Sequence, residues 1–249
     1  MLINGSIINT KKTGWDISAN ITFLKNNVKG MPSPIQTGWL QGGGVSGTSV
    51  EVIQNGLPMN AFFTRKFLGM DKASGFAVYE DDGNTFYYVG NPNPKTLLGI
   101  SSTFRFKKVM LTANLYGSFG QDVFYNTLLN VINAGSINSA GNIGLSIYKD
   151  PIKESIANPV TPSSRFIVKG NYIKLSNLSI GYTLGNVVKI FKAANVYLAG
   201  QNLFIITNYP GFDPEANYNG SINTVPSLGI DYVQYPSSRT IILGITFSL

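Results

Sequence analysis

The sequence predicts an all-β chain, an antiparallel up-and-down transmembrane β-barrel fragment of about nine strands with long extracellular loops. Three observations lead there. Apolar residues recur at every second position in several segments, long polar loops alternate with short turns, and charged residues are only 12% of the 249. That is about half the charge of an average soluble protein. The alternation is clearest at the end of the chain. Ile241, Leu243, Ile245, Phe247 and Leu249 fall on one face, and Thr240, Gly244, Thr246 and Ser248 on the other, with Ile242 the exception. Leu178, Ile180, Tyr182 and Leu184 alternate in the same way with Ser179, Gly181 and Thr183. A period of two is that of a strand.

Taken in order, Leu2 to Asn9 reads as a short strand and Thr10 to Gly14 as a turn. Trp15, Ile17, Ala19, Ile21 and Phe23 then alternate with Asp16, Ser18, Asn20 and Thr22. Residues 26–47 are rich in Gly, Pro, Ser and Asn and mark a loop. Thr48 to Gln54 and Pro58 to Leu68 are expected to form a hairpin about Asn55-Gly56, a strong turn signal. A second loop, Gly69 to Lys95, precedes a hairpin whose arms carry Leu98, Ile100, Phe104 and Phe106, and Val109, Leu111, Ala113 and Leu115, about Lys107-Lys108. Gly120 to Gly170 is expected to be a strand-free insert with a helical stretch at Val123 to Val131. The last strands are Asn171 to Leu184, Asn195 to Thr207 and Ser238 to Leu249, joined by a connection at Gly185 to Ala194 and a loop at Asn208 to Ser237.

If the final strand runs inward, strand directions alternate back along the chain. The connections at 10–14, 55–57, 107–108 and 185–194 then lie on the periplasmic side, and all are short. Those at 26–47, 69–96, 120–170 and 208–237 lie outside, and all are long. Short inner turns with long outer loops are the habit of outer-membrane barrels. Trp15, Phe106, Tyr182 and Phe247 fall near the periplasmic strand ends and read as an interfacial aromatic girdle.

Composition narrows the chemistry. No run of about 18 apolar residues is present, so a membrane location must come through strands. There is no Cys, hence no disulfide framework, and no His, hence neither the commonest general base nor the commonest transition-metal ligand. The net charge of +7 arises from 19 Lys and Arg scattered at turns such as Lys11-Lys12, which argues against nucleic acid as a partner. The first residues, Met-Leu-Ile-Asn-Gly-Ser, carry no signal-peptide pattern, so the segment is expected to lie inside a longer reading frame or to have been trimmed from one.

Candidate chemical motifs are few. Asp81, Asp82 and Asn84 have neither the alternating spacing nor the terminal Glu of an EF-hand and read as an acidic turn. Gly42-Gly43-Gly44 has no Lys-Ser/Thr or following helix and reads as loop. Asp213, Glu215 and Asp231 are the carboxylates that would serve glycoside hydrolysis. The expectation is no enzyme, with no catalytic residue, metal or cofactor assigned. The loop aromatics Tyr209, Phe212, Tyr218, Tyr232 and Tyr235, with Asp213, are the candidate substrate- or partner-binding residues, since aromatic rings stack on sugars and anchor protein contacts. Packing of the loop against itself and the barrel rim is the competing reading of the same rings.

Three segments carry a resemblance to a known family: NYIKLSNLSIGYTLG (Asn171 to Gly185), VYLAGQNLFIITNYPGFDPEAN (Val196 to Asn217) and GIDYVQYPSSRTIILGITFSL (Gly229 to Leu249). In this order and spacing they resemble the C-terminal end of SusC/RagA-like TonB-dependent outer-membrane transporters of Bacteroidetes. GNPNPK (Gly90 to Lys95) and GSFGQDVF (Gly117 to Phe124) extend the resemblance over most of the chain. Such transporters close with about 22 strands around a plugged lumen, so the resemblance implies nine or so strands of a larger wall, residues 1–249 being its C-terminal part without plug or signal peptide.

The resemblance further implies import of glycan oligomers or peptides, a SusD-like lipoprotein over the extracellular loops, and TonB engaged through the missing N-terminal region. It also implies contact with outer-membrane lipid. Asp213, Glu215 and Asp231 resemble a loop signature of the family that is not catalytic. The last residue departs from the pattern, being Leu249 where outer-membrane barrels usually end in an aromatic. The alternative is a soluble extracellular β-sandwich that binds glycans, in which the apolar faces would meet across a core.

Overall fold

In the computed structural model residues 1–139, 142–149, 151–185, 193–221 and 225–248 are described. The strands, in order, are β1 (Leu2–Asn9), β2 (Thr13–Phe23), β3 (Ile35–Trp39), β4 (Ser49–Ile53), β5 (Ala61–Thr64), β6 (Phe67–Met70), β7 (Ala77–Tyr79) and β8 (Tyr87–Gly90). They continue with β9 (Thr96–Phe106), β10 (Val109–Phe119), β11 (Asp122–Tyr125), β12 (Ile167–Lys169), β13 (Tyr172–Gly185), β14 (Ala193–Thr207), β15 (Ile230–Asp231) and β16 (Thr240–Ser248). A helix, α1 (Asn126–Val131), follows β11 directly, and a single helical turn, α2 (Ser146–Lys149), lies further along the same excursion.

The frame is a seven-stranded sheet in the order β1-β2-β9-β10-β13-β14-β16. Every neighbouring pair in it is antiparallel. Its register joins the alternating runs into continuous rows. Ile8, Trp15, Phe104, Leu111, Ile180, Leu198 and Leu243 stand opposite one another across all seven strands. One residue along, Ser6, Asp16, Thr103, Thr112, Ser179, Ala199 and Ile242 form a largely polar row on the other face. The row is open from β10 to β16, where Ile180 is 48% exposed, Leu198 47% and Leu243 73%, and half-buried at Ile8, Trp15 and Phe104. Ile241, Ile245 and Tyr182 on the same face are exposed too, and Leu178 is half-buried. The β-sandwich alternative required this face to be covered by a second sheet. In a soluble chain such a surface costs about 25 cal/mol per Å² left in water.

The wall carries seven strands where the sequence reading expects nine, and the reason is length. The strands of the wall run from 8 to 15 residues, whereas β4 has 5 and β5 has 4. A membrane crossing needs about 9–11 tilted residues. The expected hairpin about Asn55-Gly56 forms, but it belongs to a separate four-stranded sheet, β3-β4-β5-β8. The expected Pro58–Leu68 strand is broken, β5 ending at Thr64 and Phe67 starting β6, which pairs with β7. β2 therefore pairs directly with β9, and 24–95 is one excursion from the wall. Removing two strands leaves strand parity intact. Residues 10–12 and 107–108 are short turns at one end of the wall, and 24–95, 120–171 and 208–239 are long excursions at the other. Most of the expected connection at Gly185 to Ala194, and Leu249 itself, lie outside the described residues.

The insert 120–170, expected to be free of strands, contains β11 and β12, and α1 begins at Asn126 where the helical stretch was expected from Val123. Residues 122–125 are taken by strand pairing, antiparallel with β12 and parallel with β15. Together the excursions build a compact cap with its own core. Leu40, Val45, Val50, Phe62, Phe124, Leu129, Phe166 and Ile230 pack together there, drawn from all three excursions. The Phe124 ring lies 6.2 Å from Phe62 and 6.4 Å from Phe166. Asp81 and Asp82 occupy a tight turn with φ of 52° and 47°, and Thr85 donates to Asp81.

Candidate functional site

The cap meets the polar face of the wall through the β14–β16 excursion, residues 208–239, and this contact is the best candidate for a functional site. β10 and β13 present Tyr116 and Lys174 opposite each other in one polar row, with Tyr172 two residues before Lys174 on the same face. Three side chains converge there on Glu215. The Tyr116 hydroxyl donates at 2.8 Å, the Tyr172 hydroxyl at 2.8 Å and the Lys174 Nζ at 2.6 Å. Lys174 also reaches Asp213 at 3.5 Å and is itself 5% exposed. Asp213 accepts a bond from Ser237 and, at 3.0 Å, one from the Glu215 amide. An ammonium at this depth requires such partners, because an unpaired buried charge is costly.

Further ties hold the rest of the excursion. The Tyr209 hydroxyl donates to Asp231, whose other oxygen accepts from Thr127 at 2.7 Å, and the Thr127 hydroxyl oxygen in turn accepts from the Val233 amide at 2.7 Å. Burial first, and then the bond to Asp231, push the Tyr209 phenol above its ordinary range. Trp39 of β3 donates its amide to the Gly220 carbonyl at 3.1 Å, and a Cβ on Gly220 would lie 2.2 Å from the Trp39 carbonyl oxygen. This close approach is what requires glycine there.

A buried carboxylate on β4 completes the set. Glu51 is 1% exposed and takes bonds from Asn60 Nδ2 at 2.7 Å, Thr37 Oγ1 at 3.1 Å and the Leu228 amide at 3.0 Å. Burial lifts its carboxyl to about 7, against the pull of those three donors. Asn60 also donates to the Pro226 carbonyl at 2.9 Å, so one polar cluster clamps residues 226–228 to the four-stranded sheet.

The residues singled out from sequence divide into two sets. Tyr209, Asp213, Tyr218 and Tyr232 face inward. Tyr209 packs against Tyr125 with ring centroids 5.3 Å apart and the planes tilted by 47°, Tyr218 meets Tyr232 edge-on at 5.4 Å, and Asp213 is committed to Lys174 and Ser237. Phe212 and Tyr235 point to solvent at 73% and 95% exposure. Val233, absent from the sequence reading, joins them at 66%, with φ of 47° at a β-branched residue. Lys174, Tyr116, Tyr172 and Glu51 were also missed. For Lys174 a signal existed, a lone cation between Ile173 and Leu175 in a strand of otherwise apolar or small residues.

Asp213, Glu215 and Asp231, the carboxylates weighed for hydrolysis, each accept bonds from the chain's own scaffold. Among the described residues no group of three or more His, Cys, Asp or Glu is placed to hold a metal. Among the same residues no helix is long and apolar enough to cross a membrane.

Comparison with known proteins follows the same line. No family model matches the chain. The TonB-dependent receptor P3 of Formosa agariphila is 30% identical over 166 residues, covering 63% of this chain and 16% of that protein. The TonB-dependent receptor SusC of Bacteroides thetaiotaomicron is 25% identical over 98% of this chain and 25% of its own length. Among solved structures, the RagAB peptide transporter superposes with a TM-score of 0.74 at 19% identity, over 99% of this chain and 28% of that one. The open-open state of the RagAB peptide importer gives 0.71 at 20% identity, over 100% and 28%. The chain thus spans between 16% and 28% of the length of these proteins.

Proposed function

We propose that this SusC/RagA-like chain is part of the wall and extracellular cap of a TonB-dependent outer-membrane importer. The observation that carries the reading is the uninterrupted apolar row, Ile8 to Leu243, that crosses seven strands and stands open to its surroundings at Leu111, Ile180, Leu198 and Leu243. Hydrocarbon is the medium in which such a face costs nothing, and a closed ring completed by the rest of the protein satisfies the free edges of β1 and β16. Residues 1–249 form the C-terminal part of that ring, and the signal peptide, plug and TonB-contacting segment belong to the remainder of the protein. The short turns face the periplasm and the cap faces outward.

On this reading the exposed Phe212, Val233 and Tyr235 meet a SusD-like lipoprotein, and the cargo is an oligosaccharide or a peptide. Large apolar side chains exposed on a rigidly held loop are typical anchors of a protein interface. The chain's residues position and gate, and the energy enters through TonB. The direct test is the fate of the full-length gene product. A β-rich, heat-modifiable protein in the outer-membrane fraction, copurifying with a lipoprotein partner, is expected. Recovery of the full-length product from the soluble periplasm would overturn the reading. Phe212→Ala with Tyr235→Ala should weaken the lipoprotein complex at least tenfold, roughly the loss expected of one interface anchor.

A further inference from the structure

One feature on the apolar side of the wall is left unused by transport. A groove of about 540 Å³ opens where β2 ends and β9 begins, lined by Phe23, Leu24, Lys25, Asn93, Pro94 and Lys95 among others. Phe23 pairs with Thr96, and Ile21 with Leu98 two residues below, so the groove continues the apolar face at the cap end. Phe23 is 74% exposed and Leu24 42%. Lys25 and Lys95 are both exposed, neither makes an ion pair among the described residues, and none of the lining residues is acidic.

The rim is built rather than loose. Leu24 donates its amide to the Lys95 carbonyl at 2.8 Å, and Lys95 donates its own to the Phe119 carbonyl at 2.9 Å. Asn26 and Asn93 grip the backbone of Met59 from two sides, accepting from its amide at 3.1 Å and donating to its carbonyl at 2.7 Å. An apolar floor contiguous with the hydrocarbon-facing rows, topped by two unpaired cations, is complementary to one kind of neighbour: an anionic amphiphile standing in the same leaflet.

We propose that this groove seats a phosphate-bearing glycolipid of the outer leaflet, its phosphate between Lys25 and Lys95 and an acyl chain along Phe23. The site fixes the height of the wall in the membrane and anchors the base of the long 24–95 excursion. The inference rests on the membrane orientation given above, in which the cap end is the outer one.

The test uses the full-length receptor in nanodiscs containing phosphorylated lipid A or the same lipid A with its phosphate removed enzymatically, followed by mild extraction and native mass spectrometry. Lys25→Gln with Lys95→Gln should lower retained phosphorylated lipid about tenfold or more, each lysine contributing several-fold. Lys11→Gln with Lys12→Gln, at the opposite rim, should leave it unchanged, and dephosphorylated lipid should be poorly retained by every form. Equal retention by parent and double variant, or equal retention of the two lipids, would overturn the proposal while the heat-modifiable barrel persists. Loss of the heat-modifiable species in the parent protein itself would overturn the barrel reading and this site with it.

Discussion

Replacing Lys174 with Met tests how the cap is held to the wall. The substitution keeps the length and much of the apolar stem while deleting the ammonium that bridges Glu215 at 2.6 Å and Asp213 at 3.5 Å. Taking one partner out of a buried pair typically costs about 3–5 kcal/mol. Two features reduce that here. The Glu215 side chain is 31% exposed, and it keeps both tyrosine donors, Tyr116 and Tyr172. A loss of about 2–3 kcal/mol is therefore expected, which is about 30–150-fold in the equilibrium for lifting the 208–239 excursion off the wall. Amide hydrogen exchange on the full-length protein reads this directly. The Ala216 and Tyr218 amides, bonded to the Asp213 and Ile230 carbonyls, should exchange faster by that factor. The β13 and β14 amides below should not change. Adding Glu215→Gln and Asp213→Asn to Lys174→Met should restore much of the protection, because no buried charge is then left unpaired. If Lys174→Met changes exchange less than twofold, the cluster does not hold the loop and the reasoning fails.

Three other outcomes are expected. Gly220→Ala places a methyl group against the Trp39 carbonyl and breaks the β3 contact, so protease cutting within 208–237 should rise about tenfold or more, in line with an overpacking cost of about 1–3 kcal/mol. Ile180→Arg, on the open apolar face, should lower the yield of assembled barrel through a cost of up to about 2–4 kcal/mol, whereas Thr112→Arg on the polar face should assemble normally, as seen by the heat-modifiable band. Glu51 gives a pH signature. Its carboxyl is lifted from 4.5 to about 7 in the folded cap, so between those values the folded state binds more protons than the unfolded one. Cap stability should accordingly fall as pH rises through that window and level off above it. Glu51→Gln should abolish the slope, which thermal melts of the full-length protein between pH 5 and 8 would register.

Much of the wall was legible from the sequence because its signal is local and repeated. Each strand shows its two faces in its own residues, and the short connections reveal which ends lie together. The strands of the cap were harder to place. Val50, Val52, Ala61 and Phe62 are buried in a small core, so residues on both faces of β4 and β5 are apolar or enclosed and the period-two pattern says nothing about where the sheet lies. Asn55-Gly56 marks a hairpin equally well in a membrane wall or above it. β11 and β15 are 4 and 2 residues long, and β15 exists only through its parallel pairing with β11, from a segment about a hundred residues away, which no local pattern encodes. At the candidate site, the loop aromatics were visible as a group, but their division into packed Tyr209, Tyr218 and Tyr232 and exposed Phe212 and Tyr235 depends on partners such as Asp231 and Tyr125 brought in by the fold. Ile242, the lone exception in the last strand, sits opposite Ala199 on the polar face and disturbs no apolar row.

The most direct test of the membrane wall is collisional accessibility of nitroxide labels on the full-length protein in lipid bilayers. Labels at Leu111, Ile180, Leu198 and Leu243 should meet membrane-dissolved oxygen, and labels at Thr112 and Ser179 should meet a water-soluble relaxer instead. Uniform aqueous accessibility across both sets, or burial of the first set from both reagents, would contradict the claim that this sheet is a membrane wall.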